Sequence, residues 1–194
     1  DFAGVERFLD VAVSDNAPVM LMGASSAYLY LLDYLDKQRK TYRLASDSRV
    51  FDTGGFKSTR TDMTVDDLYA AFARALGVDR SHCVNMYGMT ELSSQIYDQN
   101  ILSYYTDGSL NYSKETPSWV RSVFLDPATL APVPDGEQGV IAHYDLANWN
   151  SCLAILTEDL GVRSSYGYTL NGRAKGAEAR GCSITVDEVM AANA

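Results

Sequence analysis

Histidine, cysteine and basic charge are all scarce in this sequence, and each shortage removes a class of function. Among 194 residues there are two histidines, His82 and His143, and three cysteines, Cys83, Cys152 and Cys182. An odd number of widely spaced cysteines does not make a disulfide framework and points to a reducing cytoplasm. With no C-x-x-C pair, a zinc site of His and Cys has little to build on. Lys plus Arg is 16 against 25 for Asp plus Glu, a net charge of −9. That balance excludes a general nucleic-acid binder and a polybasic membrane-surface protein, both of which need clustered cations.

Long apolar runs are missing too. No stretch approaches the ~18 residues of a transmembrane helix, so no membrane insertion is expected. The first residues, Asp1-Phe2-Ala3-Gly4-Val5-Glu6, show no basic region followed by an apolar core, and hence no signal peptide. They also lack an initiator Met, as a cut or processed piece would. Neither G-x-x-x-x-G-K-[ST], G-x-G-x-x-G nor G-x-S-x-G occurs.

What is present is an ordinary folding composition, 46% hydrophobic and 21% charged. The apolar run at 18–22 reads as a strand ending near Gly23. Ser25 or Ser26 is placed to cap a helix whose face is Ala27, Tyr28, Leu31, Leu32 and Leu35. Arg49-Val50-Phe51 reads as a strand broken by Gly54-Gly55. Thr64 with Asp67 forms a capping-box pattern for a helix over 65–76, closed by Gly77. A third strand is expected over 82–87. Beyond Trp119 the pattern turns to strands at 119–125, 140–144, 154–157 and 165–170, with a short helix over 185–192. The predicted class is α/β: a mixed sheet flanked by helices over 1–118, a small antiparallel β unit over 119–172, and a hinge and tail over 173–194.

Three polar clusters follow predicted strands, where open α/β sheets bind ligands. In Asp52-Thr53-Gly54-Gly55-Phe56-Lys57, paired glycines let backbone approach a flat ligand, or simply make a tight turn. In Tyr87-Gly88-Met89-Thr90-Glu91, Tyr87 can stack on a base, Thr90 can bond a phosphate and Glu91 can hold Mg²⁺. A strand-to-helix turn capped by Thr90 or Ser93 fits that spacing equally well. In Thr157-Glu158-Asp159-Leu160-Gly161 a carboxylate follows an apolar strand, and Gly172-Arg173-Ala174-Lys175 lies a dozen residues on. Asp159 can accept ribose hydroxyls and Arg173 can meet phosphate or ribose oxygens, whereas a hairpin with surface charges is the plainer alternative.

These strings, in this order, resemble the Y-G-x-T-E, T-G-D-x-G and G-R-x-D/K motifs of adenylate-forming enzymes, with Glu158 in place of a glycine. More narrowly, Thr53 to Lys57, Tyr87 to Gln95, His143 to Asn148 and Gly181-Cys182-Ser183 resemble the LuxE-type acyl-protein synthetases. The resemblance implies the C-terminal part of an adenylate-forming large domain, with residues 1–118 as its nucleotide-binding subdomain. It implies ATP and Mg²⁺. Gly54 and Gly55 would flank the adenine, Tyr87 and Gly88 would pack on it, Thr90 would meet the α-phosphate and Glu91 the metal. Asp159 and Arg173 would hold the ribose, and Lys175 would occupy the hinge. A fatty or other carboxylic acid would be activated as acyl-adenylate and passed to a cysteine thiol that feeds a partner acyl reductase. The Ser/Thr/Gly-rich triphosphate loop of the superfamily has no match, so a missing N-terminal half is expected.

Cys182, between two small residues and near Arg173, Lys175 and Arg180, is the candidate acyl acceptor. An inert packed cysteine is the bland alternative, and it is the expectation for Cys83 and Cys152. His143 reads as a strand residue before it reads as a base, and Trp119 and Trp149 as packing groups. Two other functions fit the strings: a CoA ligase of the phenylacetate type, and a nucleotide-binding module without catalysis. Lys57, Arg60, Arg163, Arg173 and Lys175 lie near the motifs and suggest a local basic site for AMP in an acidic chain.

Overall fold

The first helix rests on a cap at the very start of the chain. The Asp1 carboxylate accepts the Gly4 amide at 2.9 Å, and α1 (Phe2–Ser14) follows. Its apolar positions Phe2, Val5, Leu9 and Ala12 recur at helical spacing, and Leu9 is fully buried. The structure is a computed structural model and describes residues 1–54 and 64–174. The described residues fall into two compact units, divided between Asn85 and Met86.

The first unit is α/β. Strand β1 (Met20–Ala24) pairs in parallel with β2 (Arg49–Thr53), and β3 (Cys83–Tyr87) starts beside β2. Helix α2 (Ser25–Lys37) makes the crossover between β1 and β2. Helix α3 (Val65–Leu76) has the capping box expected from Thr64 and Asp67, and Gly77 ends it in a left-handed conformation. The Thr64 hydroxyl accepts the Asp67 amide at 3.2 Å, while the Asp67 carboxylate accepts the Thr64 amide at 2.9 Å. The Thr64 hydroxyl also donates to Asp67 Oδ2 at 2.7 Å, and that bond first, then the Thr64 amide, holds the Asp67 carboxyl below its ordinary range. Leu29, Leu35, Val50, Leu68, Phe72, Leu76 and Cys83 fill the core.

The second unit is antiparallel from its first residues. The end of β3 pairs with β4 (Ile96–Asp98), and β4 with β5 (Lys114–Glu115). The order then runs β5, β9 (Gly167–Arg173), β8 (Ala154–Ser164), β7 (Gln138–Asp145), β6 (Val120–Leu125). Helix α4 (Asn100–Asp107) joins β4 to β5. Antiparallel pairing therefore begins before residue 119, because the short strands β4 and β5 carry no alternation long enough to read. A buried ion pair, Lys114 Nζ to Asp98 Oδ1 at 2.9 Å, ties β5 to β4. Leu92, Ile96, Phe124, Ile141 and Tyr168 form the second core. The expected α/β class with an antiparallel section holds. No helix among the described residues is long and apolar enough to cross a membrane.

Gly161 allows β8 to approach its neighbours in the sheet closely. A Cβ there would stand 2.8 Å from the Thr169 carbonyl oxygen and 2.9 Å from both Ile141 Cδ1 and Phe124 Cε1. Overpacking of this kind costs roughly 1–3 kcal/mol. Gly161→Ala is expected to lower the unfolding free energy by that amount, read as a lower urea midpoint with the denaturant slope unchanged.

Candidate functional site

In the first unit the site begins at a buried carboxylate. Asp52, near the end of β2, accepts hydrogen bonds from Ser25 Oγ, Tyr69 Oη and Asn85 Nδ2, each at 2.8 Å. Ser25 Oγ also lies 3.1 Å from the Thr53 carbonyl oxygen and 3.3 Å from that of Gly54. This corrects the expected cap on α2. The N-cap is Ala24 without a side-chain bond, because Ser25 spends its hydroxyl on Asp52 and the following turn. Gly54 sits in that turn with φ of +78°, a conformation that favours glycine. Gly55, Lys57 and Arg60 lie outside the described residues, as do Lys175, Arg180, Cys182 and the helix expected over 185–192.

In the second unit the three motifs meet. The Tyr87 hydroxyl donates to Asp159 Oδ2 at 2.7 Å across 72 residues of sequence. Arg173 Nε lies 3.3 Å from Asp159 Oδ1, and its guanidinium also pairs with Glu158. Thr157 Oγ1 donates to the Ile141 carbonyl at 2.8 Å and accepts the Asp159 amide at 3.0 Å, which fixes the backbone where Asp159 projects. A β-bulge falls between Asp159 and Gly161 in the β8–β9 pairing. Burial first, then the Asp159 charge and bond, pushes the Tyr87 hydroxyl far above the ordinary phenol range, so it stays a donor. Of the cations expected nearby, Arg173 is present here, whereas Arg163 pairs with Asp135 at 2.6 Å.

His143 stands behind this pair and is fully buried on β7. Its Nδ1 lies 2.8 Å from Ser122 Oγ and its Nε2 3.4 Å from Tyr87 Oη, with the two rings 5.7 Å apart. Burial pushes its pKa down to about 4, against the opposing pull of Asp159 and Asp145. The neutral ring follows. Because Tyr87 gives its proton to Asp159, the assigned tautomer carries hydrogen on Nε2 and accepts from Ser122 at Nδ1. The expected strand placement of His143 is observed.

Gly88, Thr90 and Glu91 face solvent on the loop after β3. The Leu92 amide closes a turn on the Met89 carbonyl at 3.1 Å. Asp145 holds the rest of this loop from below. It accepts the Ser93 amide at 3.0 Å, the Ser94 amide at 2.9 Å, Ser94 Oγ at 2.9 Å and the Ala147 amide at 3.0 Å. Asn148 Nδ2 donates to the Glu91 carbonyl oxygen at 2.8 Å. Sequence reasoning gave Asp145 and Asn148 no role, and only their place in a resembling stretch pointed to them.

Among the described residues no three His, Cys, Asp or Glu side chains gather as a metal group. A single exposed carboxylate such as Glu91 still suits Mg²⁺, which keeps waters and shares phosphate oxygens.

Several expectations are corrected here. Trp149 is 74% exposed, whereas Trp119, half exposed with Nε1 donating to Ser94 Oγ at 2.9 Å, suits the amphipathic packing expected of it. Cys152 is only partly buried, in the turn before β8, whereas Cys83 is fully buried. Burial pushes the Cys83 thiol up to about 12. An open cleft of about 680 Å³ is lined by Ser94, Tyr97, Glu115, Pro117 and Trp119, and none of the motif residues lines it.

His143 makes stability depend on pH. Its folded pKa of about 4 lies below the 6.5 of the free side chain. The unfolded chain therefore binds the extra proton between those values, and stability falls as pH drops through that window. The loss is on the order of 3 kcal/mol by pH 4. Melting temperatures of wild type and His143→Gln, compared from pH 7 to 4, should converge as pH falls.

The chain matches the model of the family described as acyl-protein synthetase, LuxE, over residues 5–191. It is 22% identical over 164 residues to a long-chain-fatty-acid–luciferin-component ligase of Aliivibrio fischeri, covering 84% of this chain and 41% of that protein. A protein of the same name from Vibrio harveyi is 19% identical, over 85% of this chain and 44% of its own length. The chain thus spans less than half the length of these curated relatives. An open conformation of 2-hydroxyisobutyryl-CoA ligase, in complex with 2-HIB-AMP and CoA, superposes with a TM-score of 0.62 at 15% identity, over 90% of this chain and 40% of that one. ATP-bound MatB from Rhodopseudomonas palustris gives a TM-score of 0.58 at 20% identity, over 87% of this chain and 33% of that one. These likenesses give the fold as part of an adenylate-forming ligase. The family match runs through all three motif strings, and the chain belongs to the LuxE acyl-protein synthetase family.

Proposed function

We propose that this chain carries the nucleotide-holding part of an enzyme that activates a fatty carboxylic acid with ATP and passes the acyl group to a thiol. One observation carries the reading: Tyr87, Asp159 and Arg173, one from each motif, meet in bonded contact. Asp159 retains lone pairs on both oxygens after meeting Tyr87 and Arg173, so it can accept the two ribose hydroxyls. Arg173 pairs with that carboxylate and supplies donors toward ribose or phosphate oxygens. Tyr87 would pack on the adenine. Gly88 leaves room for the base beside Tyr87.

Thr90 would donate its hydroxyl to the α-phosphate, and Glu91 would hold the metal. Mg²⁺ would supply charge neutralisation on the phosphate oxygens. In the first step a carboxylate oxygen of the acid bonds to the α-phosphorus as the bond to pyrophosphate breaks. In the second a thiolate sulfur, which we assign to Cys182, bonds to the acyl carbon as AMP leaves with the electron pair of the broken bond. Lys175 would act at the hinge. The thioester would feed an acyl reductase in a reducing cytoplasm. The remainder of the enzyme, including a triphosphate loop, would lie in an N-terminal half.

The full-length protein with Mg²⁺, a long-chain fatty acid and labelled pyrophosphate should show pyrophosphate–ATP exchange. Glu91→Gln should lower that exchange by roughly 100-fold while the fold persists. Absence of exchange with every carboxylic acid tried, the fold being intact, sinks the reading. A hydroxylamine-sensitive acyl adduct should be lost in Cys182→Ser and kept in Cys83→Ser. Release of acyl-CoA without need of Cys182 would instead indicate a CoA ligase. Calorimetry showing tight AMP binding without any turnover would indicate a binding module.

A further inference from the structure

The end of β7 and the turn after it form a short run, residues 143–148, that touches both halves of the candidate site, with His143 and Asp145 fully buried. We propose that this run is the positioning layer of the nucleotide site. His143 sets the Tyr87–Asp159 pair, and Asp145 with Asn148 sets the Thr90–Glu91 loop. The inference rests on the nucleotide reading above and assigns residues that the reading leaves without a role.

The geometry separates the two halves. His143 and Asp145 are two apart on one strand, so both side chains lie on its inner face, and both are fully buried. With the assigned tautomer the hydrogen bonds from His143 run one way: Ser122 to Nδ1, Nε2 to Tyr87, Tyr87 to Asp159. That direction keeps the Tyr87 proton on the Asp159 side and leaves the carboxylate facing outward with its remaining lone pairs. A ring that carries its hydrogen on Nε2 gives it.

Asp145 works on the loop. Its two oxygens take four donors, three of them from Ser93 and Ser94, directly after the motif. Trp119 braces the same serine hydroxyl at 2.9 Å. Asn148 then grips the loop at the Glu91 carbonyl itself. The Glu91 side chain is left free to face solvent while its backbone is fixed from behind. Residues that orient a ligand from the second layer commonly change affinity by about 10–100-fold when removed.

The two arms predict two different readouts in the full-length protein. Calorimetry with AMP and with 2′-deoxy-AMP reads the His143 arm, because Asp159 would meet ribose hydroxyls. Wild type should favour AMP. His143→Leu should weaken AMP by about tenfold and flatten the preference, and His143→Gln, whose amide N–H can stand in for Nε2–H, should recover much of both. Binding of a non-hydrolysable ATP analogue across Mg²⁺ concentrations reads the other arm. Asn148→Ala should raise the Mg²⁺ needed for half-maximal binding by about tenfold while leaving the preference for AMP over 2′-deoxy-AMP unchanged.

Asn148 is partly exposed and its variant should keep the wild-type melt, so the test survives if a His143 variant fails to fold. Folded variants that bind AMP, 2′-deoxy-AMP and the analogue as wild type does would overturn the proposal. So would equal weakening in both readouts, which marks general loosening. Wild type that binds no AMP overturns the nucleotide reading itself.

Discussion

A carboxylate buried to zero exposure must have its charge answered, and Asp145 answers it entirely with donors from two short segments. Leaving such a group unpaired would cost far more than an exposed hydrogen bond returns. The loop after β3 therefore has one place to lie, over the end of β7. That single constraint brings the Y-G-x-T-E string of the sequence to a defined position. It acts between residues more than fifty apart, so no local propensity is involved.

The rest of the second unit elaborates the same logic. Tyr87 reaches Asp159 from the far strand, Thr157 pins the backbone below Asp159, and the bulge beside Gly161 redirects the strand at that point. The bonds among Tyr87, Asp159 and Thr157 answer one another's polar groups, which rigidifies a network instead of penalising it. The Lys114–Asp98 pair does the equivalent at β4 and β5, where strands of three and two residues have few ladder bonds of their own. The first unit repeats the device with Asp52, three donors and a turn at Gly54.

Much of this was legible where the signal is local. Thr64, Asp67 and Gly77 mark α3 to the residue, since capping geometry involves only neighbours. Tyr87, Asp159 and Arg173 were legible as members of motifs. What spacing cannot display is that they bond to one another, because strand pairing decides it. Ser25 misled for the same reason: a serine before a helix looks like a cap until a carboxylate 27 residues away claims its hydroxyl. Helix α1 escaped notice although Phe2, Val5, Leu9 and Ala12 carry helical spacing, and β4, α4 and β5 are too short to declare themselves. His143 was legible as a strand residue, but Asp145 and Asn148 only as part of a resembling stretch, their partners lying on other elements.

Cys83 carries a consequence of another kind. Its sulfur is sealed in the first core, donates toward the Asp79 carbonyl at 3.4 Å, and has a thiol pKa of about 12. An alkylating reagent at neutral pH meets almost no thiolate there while the unit is closed. Reaction must wait for the core to open, so the labelling rate of this sulfur measures how often the first unit opens. The protein thus contains its own clock for local unfolding, readable by mass without any added probe.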